Sequence, residues 1–302
     1  MKLEIVDICK SFGEKNVLSG ISFSAESGKS VGLLGRNGAG KTTTIRIIMG
    51  VFPADSGQVL IDGKPIDRKS VKIGYLPEER GMYPKKTIYE QIIYFSRLKG
   101  MSSAKARQAA DYWLKRLEMT EYKNKLLNTL SKGNQQKIQL ATALTNDPDI
   151  VILDEPFSGL DPVNAMLLKD VIKELISNNK IVLFSSHQMN YIEEFCENIA
   201  IINSGKIVLK GEMHKIKRSY SGNRLTIVSE DNMALYNYIK EHFKSYSALE
   251  NKGDFIYITL NDMDSKRELM DTLVKSGQNI DKFERWEPTL NDIFVEYTEN
   301  NI

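Results

Sequence analysis

The chain has 302 residues, enough for two domains with a substantial core, and its 41 Lys+Arg against 39 Asp+Glu leave a formal net charge of +2. That balance points to neither nucleic acid nor an acidic substrate and is expected of an ordinary soluble protein. No apolar run approaches the roughly 20 residues of a membrane-spanning helix, and the opening Met1-Lys2-Leu3-Glu4-Ile5-Val6-Asp7 alternates like a strand rather than forming a signal-peptide core, so the chain is expected in the cytoplasm.

Strands are predicted over residues 3–8 and 21–25, separated by polar turn residues. Cys9 and Cys196, the only cysteines, lie in apolar segments without metal-ligand spacing and read as small core residues. Ser30-Val31-Gly32-Leu33-Leu34 is a short buried strand, and the apolar pattern from Thr43 to Met49 is that of an amphipathic helix. Between them stands Gly35-Arg36-Asn37-Gly38-Ala39-Gly40-Lys41-Thr42-Thr43, which fits G-x-x-x-x-G-K-[ST] in the strand-to-helix setting that the motif requires. Glycines let successive backbone N–H groups turn toward a polyanion, and the helix N-terminus adds partial positive charge. Residues 37–43 are therefore the candidate phosphate cradle, with the Lys41 ammonium for the β/γ-phosphates and the Thr42 hydroxyl for Mg²⁺.

Further strands are expected at residues 57–63 and 71–76. From 87 to about 146 the period becomes helical, with Ala106, Ala109, Ala110, Trp113, Leu114 and Leu117 on one stripe, and a helix after Ser131 stops before Pro148. Apolar runs at 150–153, 181–184, 199–202 and 206–209 then alternate with helices, the pattern of a largely parallel buried sheet. Beyond Gly222 the pattern resets. Strands at 225–228, 255–260 and near Phe283, with helices at 233–243, 265–275 and from about Thr289, describe a separate small α+β domain of ferredoxin-like topology.

The run Ile150-Val151-Ile152-Leu153 ends in Asp154-Glu155-Pro156. At the carboxyl edge of a buried strand, Asp154 suits the Mg²⁺ water shell, and Glu155 suits the γ-phosphate side, where it polarises an attacking water.

Leu130-Ser131-Lys132-Gly133-Asn134-Gln135-Gln136 resembles the signature LSGGQ, Ser158-Gly159-Leu160-Asp161 matches a D-loop, and His187 after Phe184-Ser185-Ser186 matches a switch histidine. With the phosphate loop and the acidic strand, residues 1 to about 216 resemble the nucleotide-binding subunit of an ATP-binding cassette (ABC) transporter. The resemblance implies an α/β P-loop NTPase of RecA-like fold with an antiparallel β subdomain and a helical subdomain at about 78–147, followed by the small domain at 222–302. It implies ATP and Mg²⁺ as cofactors, hydrolysis through Lys41, Glu155, His187 and Glu78, and metal contacts from Thr42, Asp154 and Glu78. Phe12 would stack on adenine, while Ser131, Gly133 and Asp161 would serve a site shared with a second nucleotide-binding subunit, either a copy or a related chain. A transmembrane permease would be the other partner, holding the chain at the cytoplasmic face of the membrane, and no nucleic acid is expected.

Glu78 replaces the usual Q-loop glutamine, and Lys132 and Asn134 depart from the signature. These departures and the run Leu76-Pro77-Glu78-Glu79-Arg80-Gly81 resemble a subgroup similar to sodium-extrusion and peptide-export ATPases. The subgroup carries a C-terminal domain with a motif like Trp286-Glu287-Pro288-Thr289-Leu290-Asn291-Asp292-Ile293-Phe294, read as a docking or dimer-supporting module. The other readings are a soluble ABC ATPase acting on ribosomes or DNA, disfavoured by the single cassette and missing coiled coil, and a regulatory cassette with weak turnover.

Overall fold

A computed structural model describes residues 1–79 and 81–299. Strands β1 (Lys2–Phe12) and β2 (Lys15–Glu26) open the chain, followed by β3 (Ser30–Leu34), helix α1 (Lys41–Met49), β4 (Ser56–Ile61) and β5 (Lys64–Pro65). β1 is longer than its sequence pattern suggests because its alternation breaks. Leu3 and Ile5 face the core from odd positions and Ile8 from an even one, with a bulge between them at Asp7, whose φ is +48°. One inserted residue reverses the phase of a strand and hides its continuation from a period-two reading. Ser22 fixes the bulge: its Oγ accepts from the Asp7 N–H at 2.8 Å and donates to Asp7 Oδ1 at 2.8 Å. These strands form an antiparallel sheet in the order β2-β1-β4-β5. Cys9 lies in β1 half-buried, rather than in the core as expected; Cys196 is buried.

After β6 (Ile73–Leu76) comes the helical segment, with α2 (Ile88–Leu98), α3 (Ser103–Arg116), two short 3-10 turns and α4 (Lys132–Leu144). Thr87 and Glu90 form a reciprocal capping box at the start of α2, and Ser131 caps α4 by accepting from the Asn134 N–H. On α3, Ala106, Ala110 and Leu114 are buried as predicted. Trp113 and Ala109 are only half-buried, and the indole packs edge-on against Tyr112 at 5.2 Å.

The central sheet adds β7 (Ile150–Asp154), β8 (Ile181–Ser185), β9 (Asn198–Asn203) and β10 (Lys206–Glu212), with α5 (Pro162–Ser177) and α6 (Met189–Phe195) as crossovers. Its order is β10-β9-β3-β8-β7-β6, parallel except for β10. Every residue of β3, β7 and β8 is buried, which is why these segments read as unbroken apolar runs.

The chain divides into two units, Met1–Met213, to which Tyr297 also belongs, and His214–Glu296. Helix α7 (Met213–Ser221) leads into β11 (Arg224–Ser229), α8 (Asn232–His242), β12 (Tyr246–Asn251), β13 (Ile256–Leu260), α9 (Lys266–Lys275), β14 (Ile280–Arg285) and α10 (Leu290–Glu299). The antiparallel order β12-β13-β11-β14 is the ferredoxin-like arrangement. Its own core comprises Leu225, Ile227, Leu235, Ile239, Phe243, Ile256, Ile258 and Leu269. β12, Tyr-Ser-Ala-Leu-Glu-Asn, escaped the sequence reading because it buries no side chain fully.

Candidate nucleotide site

Strands β3, β8 and β7 are neighbours running in parallel, so their carboxyl ends open on one edge of the sheet. The phosphate loop, Ser186-His187 and Glu155 follow those three ends directly. Segments far apart in sequence therefore meet in the crevice where α/β sheets bind ligands.

A cavity of about 400 Å³ lies there, lined by Asn37, Gly38, Gly40, Lys41, Thr42, Thr43, Glu78, Asp154 and Glu155, with Lys15, Asn16, Val17, Ser204 and Gly205. The loop turns at Gly40, whose φ of +116° is open only to glycine, and a Cβ there would stand 2.5 Å from Leu18 Cδ2. The Thr44 N–H and hydroxyl both donate to Gly40 O at 2.9 Å, which starts α1 with the loop behind it. Lys41 Nζ donates to Gly35 O at 2.7 Å and to Arg36 O at 3.3 Å. Burial holds its ammonium below the ordinary lysine pKa, against the pull of Glu155, Asp154 and Glu78.

Glu155 is 6% exposed and held from its backbone outward. Its φ is +49°, a left-handed conformation costly for a residue with a Cβ, and its N–H donates to Ser185 O at 2.8 Å. Oε2 accepts from Ser186 Oγ at 3.0 Å, and Oε1 accepts from the His187 N–H at 2.9 Å. His187 Nδ1 lies 2.7 Å from Oε1, so the ring carries its proton there and keeps Nε2 for another partner. Asp154 is 3% exposed, and Tyr75 Oη donates toward its Oδ2 across 3.4 Å. Burial pushes the Asp154 carboxyl above the ordinary carboxylate range, and Glu78 adds to the rise.

One relative decides the family. An uncharacterized ABC transporter ATP-binding protein, YhaQ of Bacillus subtilis (strain 168), is 42% identical over 295 residues, covering 97% of each chain. The chain belongs to the ATP-binding proteins of ABC transporters. The profile described as ABC transporter matches residues 18–158, and the ATP-binding protein DrrA1-3-like C-terminal domain matches 211–298. A Nod factor export ATP-binding protein I of Paraburkholderia xenovorans (strain LB400) is 35% identical over 213 residues, 69% of this chain and 70% of its own. Among solved structures, the ATP-binding cassette MJ0796, a dimer in a post-hydrolysis state with ADP and Pi, is 26% identical with a TM-score of 0.63, covering 70% of this chain and 98% of its own. This ABC protein is an ATP hydrolase and the ATP-binding subunit of a transporter, from a family that dimerises and works with membrane permeases. Among the described residues no helix is long and apolar enough to cross a membrane.

Not every expected residue lines the cavity of this cassette. Ala39 packs into the core and spends its N–H on Arg36 O at 3.0 Å. Phe12, Ser131, Gly133, Asp161 and His187 are outside the lining. Phe12 is 50% exposed and stands edge-on to Phe52 at 5.4 Å, with Lys10 Nζ 5.5 Å from its ring centre. Ser131 and Asp161 cap α4 and α5, each through an asparagine N–H, at 3.3 Å and 3.0 Å. Gly133 keeps those two helix starts close: a Cβ there would meet Asn164 Nδ2 at 3.1 Å. Two glutamines of α4 reach the site's loops, Gln136 donating to Pro156 O and Gln139 to Glu79 O, the latter at 3.2 Å. Ser204 and Gly205 were missed by sequence reasoning: they read as a turn between apolar runs, and only the fold brings Gly205 N–H to Ala39 O at 3.1 Å.

The donor set fits Mg²⁺. Thr42, Asp154 and Glu78 offer hard oxygens beside the phosphate cradle. Among the described residues no group of three or more His, Cys, Asp or Glu is placed to hold an ion by itself.

Proposed function

We propose that this ABC ATPase energises a membrane exporter by closing on ATP against a second nucleotide-binding subunit. The observation that carries the reading is the Glu155 carboxylate, 6% exposed, held by Ser186 and His187 on the edge of the cavity that Lys41 and the phosphate loop line. A buried carboxylate beside a polyphosphate cradle is placed to orient and deprotonate a water.

The ammonium of Lys41 passes from the Gly35 carbonyl to the β/γ-phosphates, and the loop N–H groups take the remaining phosphate oxygens. Bound Mg²⁺, held by Thr42, Asp154 and Glu78, supplies charge neutralisation on the phosphates. Glu155 takes a proton from the attacking water, while the His187 ring leaves Oε1 and turns its N–H to donate to a γ-phosphate oxygen. Phe12 supports the adenine. Ser131 and Gly133, outside the cavity of their own chain, serve the ATP of the partner through the N-terminus of α4, which makes a head-to-tail dimer the working unit.

The permease side of the reading rests on a second cavity of about 390 Å³, lined by Tyr83, Lys86, Glu90, Gln91 and Tyr94. Tyr83 is 51% exposed and stacks on Phe95 at 6.0 Å, an aromatic floor suited to a membrane subunit's cytoplasmic helix. The subunit would then work at the cytoplasmic face of the membrane. Export is supported by the likeness to the Nod factor export ATP-binding protein I. In the deciding test, Glu155→Gln binds ATP, accumulates a nucleotide-stabilised dimer on size exclusion and loses turnover. Normal hydrolysis by that variant overturns the assignment.

A further inference from the structure

We infer that Ser186 is a positioning residue for hydrolysis, holding the Glu155 carboxylate in its working orientation. The inference rests on Glu155 being the base. Glu155 has three holds on its carboxylate, and they differ in kind. The His187 backbone N–H holds Oε1 whatever side chain stands at 187. The His187 ring also meets Oε1, but its side chain is 62% exposed and is the group that the proposed reaction draws toward the γ-phosphate. Oε2 has a single side-chain donor among the described residues, the Ser186 hydroxyl at 3.0 Å, and Ser186 is 1% exposed.

The direction of that hydroxyl is set by its surroundings. The Gln188 N–H donates into Ser186 Oγ at 3.1 Å, which occupies a lone pair and leaves the single proton for Glu155. Serine at 186 thus relays a backbone donor to a carboxylate through one oriented O–H. The terminal torsion of a glutamate is broad and roughly two-fold, so nothing intrinsic to the side chain fixes the carboxylate plane. Once the ring of His187 leaves, Oε1 keeps one donor and Oε2 keeps Ser186. The two bonds together define the plane; either alone permits rotation. Misplacing a base by about 1 Å costs up to about 100-fold in rate.

The test uses the full chain, with kcat and KM for Mg·ATP, equilibrium binding of a fluorescent ATP analogue, and thermal melting. Ser186→Ala is expected to lower kcat about tenfold or more with KM and binding near wild type. Ser186→Cys, which keeps the packing but offers only a weak S–H donor, is expected to be equally slow, and Ser186→Thr, which keeps the hydroxyl, to recover most of the rate. Wild-type kcat in the Ala and Cys variants overturns the inference, and so does a Thr variant as slow as Ala, which assigns the effect to packing. Glu155→Gln is run beside them: if it is inactive while Ser186→Ala is normal, only the role of Ser186 fails; if it turns over normally, the reading of Glu155 as base fails first.

Discussion

Lys41 Nζ lies 2.7 Å from the carbonyl oxygen of Gly35 in its own loop, so the cation proposed for phosphate is already bonded to backbone. On that proposal, binding exchanges one acceptor for another. Hydrogen bonds of charged groups contribute about 1.5–3 kcal/mol, so Lys41→Met should weaken ATP binding about 10- to 100-fold by calorimetry. Burial lowers the pKa of Lys41 on folding, and a cation so shifted opposes folding below its unfolded pKa. The nucleotide-free melting temperature of Lys41→Met should therefore hold or rise, while the stabilisation at a given ATP concentration is reduced.

Arg68 anchors the other end of the phosphate-loop helix. Its Nη2 donates to Ile47 O at 2.9 Å and its Nε to Ile48 O at 3.1 Å, a cation on the carbonyls at the C-terminus of α1. Arg68→Met should cost about 1 kcal/mol and lower the melting temperature by about 2–4 °C, with ATP affinity nearly unchanged.

The two thiols should separate by reactivity. Cys196 is 4% exposed and burial pushes its thiol far up, so little thiolate forms; Cys9 is half-buried. A maleimide at neutral pH should label Cys9 in the native protein and Cys196 only on unfolding, read by mass spectrometry of digested protein.

Phe243 is fully buried in the core of the C-terminal unit. Phe243→Ala should cost that unit about 3–5 kcal/mol. Calorimetry should show a lower-temperature transition that ATP does not shift, beside an ATP-sensitive one from the cassette.

What the sequence revealed follows from range. The phosphate loop, the acidic strand and the buried parallel strands are local patterns, legible because strand, turn and helix each obey short-range rules. The bulge at Asp7 was not, since a period-two reading has no place for one extra residue. β12 was missed because its side chains are at most half-buried and its partner, β13, supplies the order. Within the site, the turn at Ser204-Gly205 could not be assigned to the cavity from sequence, because strand order alone carries β9 beside β3. The Ser186 bond was equally silent: the motif points to His187, and the hydroxyl before it gains meaning only from Glu155 at 3.0 Å.

Gln136 and Gln139 sit one turn apart on α4, and each bonds a carbonyl beside a different acidic residue of the site, Pro156 after Glu155 and Glu79 after Glu78. A helix is stiff along its axis, so two tethers on one rod shift in step. Were a second subunit to engage the start of α4 as proposed, a shift of that helix would be felt at both walls of the ATP crevice together, with the register of one helix coupling the two loops.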